Sequence, residues 1–148
     1  MKRVLVLSGP SGSGKSTWIA THHPEAIVCS ADNFFTDDQG NYNFNPKLLA
    51  HAHSDCMKSF LINLQREEGL IAVDNTNLKQ WERQNYILAA RFSGWEIEVV
   101  FFKVRTLEQV ENCAARNRHG VPIEVIATMA IDHECKVYGP VSSRFVSV

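Results

Sequence analysis

The stretch VLVLSGPSGSGKST, Val4–Thr17, decides the architecture of this chain. Four apolar residues without interruption read as a strand covered on both faces. The loop that follows matches G-x-x-x-x-G-K-[ST] from Gly9 to Ser16, and a helical pattern comes next, as that motif requires. Glycines let the backbone curl so that successive N–H groups converge on phosphate oxygens, and the helix adds a favourable field at its N-terminus. Gly12, Ser13, Gly14, Lys15, Ser16 and Thr17 are therefore the expected cradle for a nucleotide, ATP in the first instance. Lys15 is expected to reach the β- and γ-phosphates and Ser16 to offer its hydroxyl to Mg²⁺, which prefers oxygen ligands. A glycine-rich turn that merely joins strand to helix would not need every defined position of the motif.

Outward from the loop, strand-like and helix-like patterns alternate, the sequence form of an α/β domain with a mostly parallel central sheet flanked by helices. Strands are expected at Val4–Leu7, Ala26–Cys29, Leu70–Val73 and Glu96–Val104. Asn45 and Pro46 open a helix whose inward stripe is Leu49, Ala52, Cys56, Phe60 and Leu64. A second helix from about Lys79 is expected to turn Trp81, Leu88 and Phe92 inward. Thr106 and Gln109 form a capping box for a third, and a fourth starts at Pro122 with Ile123, Ile126, Met129 and Ala130 on one side. The fold expected is a P-loop NTPase with a helical lid, residues 1–148 forming one domain.

Composition limits the remaining choices. The chain has 148 residues, 45% hydrophobic and 21% charged, with a formal net charge of −1. That length buries roughly two thirds of the unfolded surface in a single domain. A near-neutral balance gives no global basic footprint, so any nucleic-acid contact must be local. No apolar run reaches the roughly 18 residues of a membrane span. The basic, briefly apolar start MKRVLVL is only strand length and runs into the glycine loop, so it is read as a strand rather than a secretion signal. Cys29, Cys56, Cys113 and Cys135 show no C-x-x-C spacing, which fits a reducing cytoplasm better than a disulfide or zinc framework.

Transfer of a phosphoryl group to an alcohol benefits from a carboxylate that takes the hydroxyl proton. Asp32, in SADNFF, follows the second strand, where the carboxyl ends of a parallel sheet face the ligand crevice. Asp74, in VDNTNL, follows four apolar residues as a Walker B aspartate does, and would hold Mg²⁺, through water or directly, while Asn75, Thr76 and Asn77 turn towards substrate. Each aspartate also suits a plain cap or turn role.

The ordered set GPSGSGKSTW, SADNFF, VDNTNL and AARNRHGVPIEV resembles the 5′-kinase domain of phage polynucleotide kinase. SADNFF and RNRHGVP are still closer to the kinase-like domains of the NEDD4-binding-protein-2 group. The resemblance covers nearly the whole chain and implies that Asp32 is the general base. Three residues beyond the base, where the phage kinase carries an arginine that holds the acceptor's phosphate, this chain has Phe35. An aromatic ring stacks on a base but cannot clamp phosphate as a guanidinium does.

Arg116, Arg118 and His119 precede Gly120, and a mobile segment over about 116–122 carrying arginines would close over ATP and balance charge on the transferring group. Arg116 matches a lid arginine of the polynucleotide kinases; a solvated cationic helix end is the alternative, and His119 reads as an ordinary loop residue. His22–His23 and His51–His53 lack metal-ligand spacing. Phe34, Phe35, Tyr42 and Phe44 form either a packed aromatic group or a base-stacking platform, and the tail YGPVSSRFV is a conceivable adenine cover without a motif to support it. The function expected is ATP-dependent phosphorylation of a nucleic-acid hydroxyl. The acceptor would be a 5′ end or a 5-hydroxymethyl group of a modified pyrimidine, with DNA the expected polymer. No membrane or obligate protein partner is expected. A small-alcohol kinase and a slowly hydrolysing nucleotide switch are the rivals.

Overall fold

Val4, Leu5, Val6 and Leu7 are fully buried in the middle of a five-stranded sheet, with layers of helices on both sides of them. A computed structural model describes residues 1–148. The strands are β1 (Lys2–Ser8), β2 (Ile27–Cys29), β3 (Gly69–Asp74), β4 (Glu96–Phe101) and β5 (Ser142–Phe145). The helices are α1 (Lys15–His22), α2 (Leu49–Asn63), α3 (Gln80–Phe92), α4 (Leu107–Arg116) and α5 (Ile123–Asp132), with short 3₁₀ turns at Ala31–Phe35 and Pro46–Leu48. Strand order is β2-β3-β1-β4-β5, and every pairing is parallel.

That order places β1 between β3 and β4, so the loop after β1 emerges beside the end of β3, with Leu7 in register with Asp74. Open α/β sheets bind ligands in the crevice beyond the carboxyl ends of such strands. On one face Val4, Val6, Ile71 and Val73 pack against Cys56 and Phe60 of α2 and Tyr86, Ile87 and Ala90 of α3. On the other, Leu5, Leu7 and Ala72 meet Ile19 of α1. Alternation along each strand thus serves two cores at once, which is why the strands are apolar throughout.

Several local expectations change. Helix α2 does turn Ala52, Cys56 and Phe60 inward, but Leu49 stands 41% exposed at its start. Helix α3 shows its largest apolar residues to solvent: Trp81 and Phe92 are 74% and 89% exposed, and Leu88 is 39% exposed. Arg83, Tyr86, Ile87 and Ala90 face the sheet instead. The helix turns this way because Arg83 finds buried carbonyls at Asn77 (2.8 Å), Leu78 (3.1 Å) and Lys136 (3.2 Å), while the Tyr86 hydroxyl reaches Cys56 Sγ at 3.3 Å. β4 ends at Phe101, before Val104. Within the tail, Ser142–Phe145 form β5, an exposed edge strand paired along β4.

Candidate active site

The glycine loop is held from behind before it holds anything. A β-carbon at Gly12 (φ +78°) would overlap the carbonyl oxygen of Cys113 in α4, so the loop reaches its shape only with glycine there. Gly14 caps α1 in the left-handed region (φ +97°) with no side-chain cap, and no acceptor within the chain serves the amides of Lys15, Ser16 and Thr17. Those N–H groups are the orphans of a helix N-terminus, and their residues line a cleft of about 380 Å³ that has no hydrophobic side chain in its wall. The Ser13 hydroxyl is buried without a partner in the same loop. Orphaned donors around a concave, glycine-shaped turn are the makings of an anion site.

Lys15 is buried, and its ammonium donates to Gly9 O at 2.8 Å and Pro10 O at 3.0 Å. Three donors and two acceptors leave one N–H for a phosphate. Burial pulls its pKa down, opposed by the charges of Asp74 and then Asp32. Asp74, also buried, is pushed up by desolvation and held back by Lys15 and by Ser16, whose hydroxyl donates to Asp74 Oδ2 at 2.6 Å.

Asp32 sits on the 3₁₀ turn after β2 and is half exposed. Its backbone is fixed on three sides: Ser30 Oγ accepts from Asp32 N at 3.2 Å, Thr36 Oγ1 donates to Asp32 O at 3.0 Å, and Asn75 Oδ1 accepts from Ala31 N at 2.8 Å. The turn after β3 thereby sets the position of the turn after β2. Asn75 and Asn77 are both buried, the latter donating to Leu7 O at 2.9 Å with φ +44°. Asn77 is therefore a brace, closed to substrate, whereas Asn75 and Thr76 line the cleft, Thr76 being the more exposed. Phe35, expected to meet the acceptor, is 6% exposed against Ala31 and Ala52. Its ring has no free face, and the exposed members of the aromatic group are Phe34 (40%) and Phe44 (49%).

Opposite the glycine loop, Arg116, Asn117, Arg118 and His119 line the cleft from the α4–α5 connection. Neither arginine has a carboxylate partner; the Arg116 guanidinium donates only to Cys113 Sγ at 3.9 Å. His119 comes within 3.4 Å of Asp32 Oδ2 and lies against Tyr42, with 4.1 Å between ring centroids and 42° between planes. A second cavity of about 440 Å³, walled by Ile19, Ala20, Ala26 and Val28, shares Ser16, Asp32, Asp74 and His119 with the cleft. Another cavity, about 500 Å³, lies at the far ends of the strands around Arg3 and Glu96 and has no such cradle.

A family model, AAA_33, described as an AAA domain, matches residues 4–134. The chain belongs to this AAA-domain family. Within its reach, the chain is 30% identical over 150 residues to human NEDD4-binding protein 2, an alignment covering 98% of this chain and 8% of that protein. The chain thus spans less than a tenth of that relative. Among solved structures, the Pnkp1/Rnl/Hen1 RNA repair complex matches with a TM-score of 0.69 and 20% identity over 88% of this chain and 43% of that one. A gluconokinase from Sinorhizobium meliloti 1021 matches with a TM-score of 0.61 and 18% identity, covering 99% and 83%. At such identities the structures establish the fold alone. It is that of a P-loop kinase-type domain, a fold that implies nucleotide binding.

Three residues of this family member carry site geometry that its sequence does not announce. His119 reads as loop, Tyr42 as one aromatic among four, and Arg83 draws no reading from the sequence. Arg83 is 1% exposed and, with Ser8 and His133, braces the Asn77 turn behind the glycine loop. An arginine six residues after the Asn77 turn gives no signal of that kind.

Proposed function

We propose that this domain transfers the γ-phosphate of ATP to a hydroxyl group on nucleic acid, with Asp32 as general base. The observation that carries the reading is the place of Asp32 where two cavities meet, one with a phosphate cradle and the other without a lysine or arginine in its lining. In this scheme Asp32 takes the acceptor's proton as the acceptor oxygen bonds to the γ-phosphorus. The bond from that phosphorus to the β-phosphate oxygen breaks, and ADP leaves. Lys15 contacts the β- and γ-phosphates, while Arg116 and Arg118 in a closing lid, residues 116–122, balance charge on the transferring group.

Ser16 and Asp74 would hold Mg²⁺, since their paired oxygens are the hard donors that ion takes, with water completing its shell. When bound, the ion neutralises charge on the β- and γ-phosphate oxygens. Asn75 acts here through the Asp32 turn it fixes, and Thr76 is the residue of that trio most open to substrate.

On the acceptor side, Phe35 lies where the related phage enzyme has its phosphate-holding arginine, and no lysine or arginine lines the second cavity. A phosphate there would face Asp32 and Asp74 with only the His23 and His119 imidazoles to offset the repulsion. This favours a neutral moiety beside Asp32, such as the hydroxymethyl group of a modified pyrimidine in DNA, over a phosphate-clamped 5′ end. A small polyol acceptor is supported by the same cavity, and it would leave the exposed aromatic shelf without a role. The test incubates γ-labelled ATP and Mg²⁺ with hydroxymethyluracil DNA, 5′-hydroxyl DNA and RNA, nucleosides, gluconate, and no acceptor. Label in the modified base is the expected result. Label only in gluconate or a nucleoside rejects the nucleic-acid reading, and label in nothing despite nucleotide binding rejects the kinase reading for these substrates.

A further inference from the structure

Asp32 has a fixed backbone and a side chain that is 52% exposed, so an unassisted carboxylate would rotate freely on its turn. Two groups from other segments restrain it. The Tyr42 hydroxyl donates to Oδ1 at 3.2 Å, and His119 Nε2 lies 3.4 Å from Oδ2. Tyr42 is brought there by a single antiparallel bridge to Thr36 across the 37–41 turn. Its phenol is held up at about 12, by burial first and by the Asp32 charge second, so it remains a donor throughout the working range.

His119 arrives from the opposite wall on a braced loop. Its amide donates to Asn117 Oδ1 at 2.9 Å, Asn117 Nδ2 donates to Val121 O at 2.9 Å, and Gly120 turns the chain at φ +69°. The imidazole is thus projected out of the loop onto Tyr42 and Asp32. It is the one side chain of the 116–119 wall that contacts the Asp32 carboxylate, and it lies on the boundary shared by both cavities.

We propose that His119 is a positioning residue that docks the α4–α5 loop on the base. Closing that loop over nucleotide and aiming Asp32 are then one event. Oδ1 accepts one hydrogen bond from Tyr42 and Oδ2 meets His119 only at ion-pair distance, so a restrained Asp32 keeps lone pairs for the acceptor's proton. The catalytic part of this inference rests on Asp32 as the base; the docking part rests on geometry alone and is measurable without any acceptor.

The experiment follows release of N-methylanthraniloyl-ADP from the Mg²⁺-bound protein by stopped flow. It compares the parent, His119→Ala, Asp32→Ala and the double variant. Because both partners are partly exposed, each single change is expected to speed release only about 2- to 5-fold. The double variant should release no faster than the faster single one, the signature of a shared contact. Multiplying effects, or a parent-like rate in His119→Ala, overturn the docking. His119→Gln, which keeps a side-chain N–H, should restore slow release; failure to do so with an unchanged melting temperature also counts against it.

With whichever acceptor takes label, His119→Ala should lower kcat while KM for ATP changes less than twofold, and Gln should recover most of the loss. An unchanged kcat removes the positioning role. Absence of label in every acceptor rejects the kinase reading, whereas the release cycle still decides whether His119 docks on Asp32.

Discussion

The two halves of the cleft are built differently. On the donor side, Lys15, Asp74, Ser8 and Arg83 are buried, and each is held by backbone carbonyls or by a hydroxyl within 3.2 Å. On the acceptor side, Asp32 is half exposed and its side chain rests on Tyr42 and His119 from two separate loops. One half is preorganised by the core; the other is assembled from loops. Preorganised dipoles suit the invariant phosphate, and a loop-built half is where one fold changes its acceptor.

The comparison breaks most visibly at the base. Asp32→Ala should lower phosphoryl transfer by about 10²- to 10⁴-fold, the range for loss of a positioned general base. Nucleotide affinity should fall by no more than the roughly 2- to 5-fold that loss of the His119 contact allows, since the carboxylate lies outside the cradle. Parent-rate transfer by this variant would remove Asp32 from its role. Next in size, Lys15→Ala should cost about 10²- to 10³-fold in kcat, as loss of one preorganised donor does. Because Lys15 also braces Gly9 and Pro10, this change should weaken nucleotide binding too, measured by titration calorimetry. A kcat effect without a binding effect would mean that the donor half is less unified than its hydrogen bonds imply.

Legibility in the sequence follows the same division. The glycine loop, the inward faces of β1 and β3 and both site aspartates lie in contiguous runs whose chemistry is local, so a linear reading finds them. The α3 face was misread because Trp81, Leu88 and Phe92 outrank Arg83 on any scale of hydrophobicity, while the burial of Arg83 depends on carbonyls brought from Asn77, Leu78 and Lys136. Nothing in SSRF distinguishes β5 from a loop, since all four residues are exposed and only the β4 edge makes them a strand. Tyr42, His119 and Asp32 meet across 77 residues of chain between the two rings, a contact with no sequence period to betray it. Phe35 carried the acceptor question in the sequence, and its burial moves that question to its neighbours.

Those neighbours sharpen the acceptor half. Phe44 is 49% exposed and lies nearly parallel to Tyr42, with 6.4 Å between ring centroids and 6° between planes. Stacking of a base on an aromatic ring is worth about 1–3 kcal/mol. With half the ring already covered, Phe44→Ala should raise KM for a nucleic-acid acceptor about 5- to 10-fold and leave KM for ATP unchanged. A gluconate acceptor should not register the change. Equal effects on both acceptors would point to a loss of folding around Phe35, which a thermal melt would report.

The smallest expected effect probes the donor half from behind. His133 Nε2 lies 2.8 Å from Ser8 Oγ, its Nδ1 is buried without a partner, and Arg83 donates to the same hydroxyl at 3.2 Å. Burial, and then the Arg83 charge, lower the His133 pKa to about 4. An unfolded histidine titrates near about 6.5, so between those values the unfolded chain binds a proton that the folded one refuses. The contribution of His133 is therefore present above about pH 6.5 and is lost as pH falls through about 4. Urea unfolding at half-unit steps across this window should show stability falling with acid, by at most about 1.4 kcal/mol per pH unit from this one site. Carboxylates add their own slope, so the informative quantity is the difference from His133→Asn, which should be flatter. If the two slopes coincide, His133 takes a proton without disturbing Ser8 and Arg83, and the brace behind the glycine loop is looser than its distances imply. A flatter slope in the variant ties the rigidity of the phosphate cradle to a neutral imidazole held against Ser8. The acceptor half, whose Asp32 and His119 side chains are both partly exposed, has no buried counterpart to it.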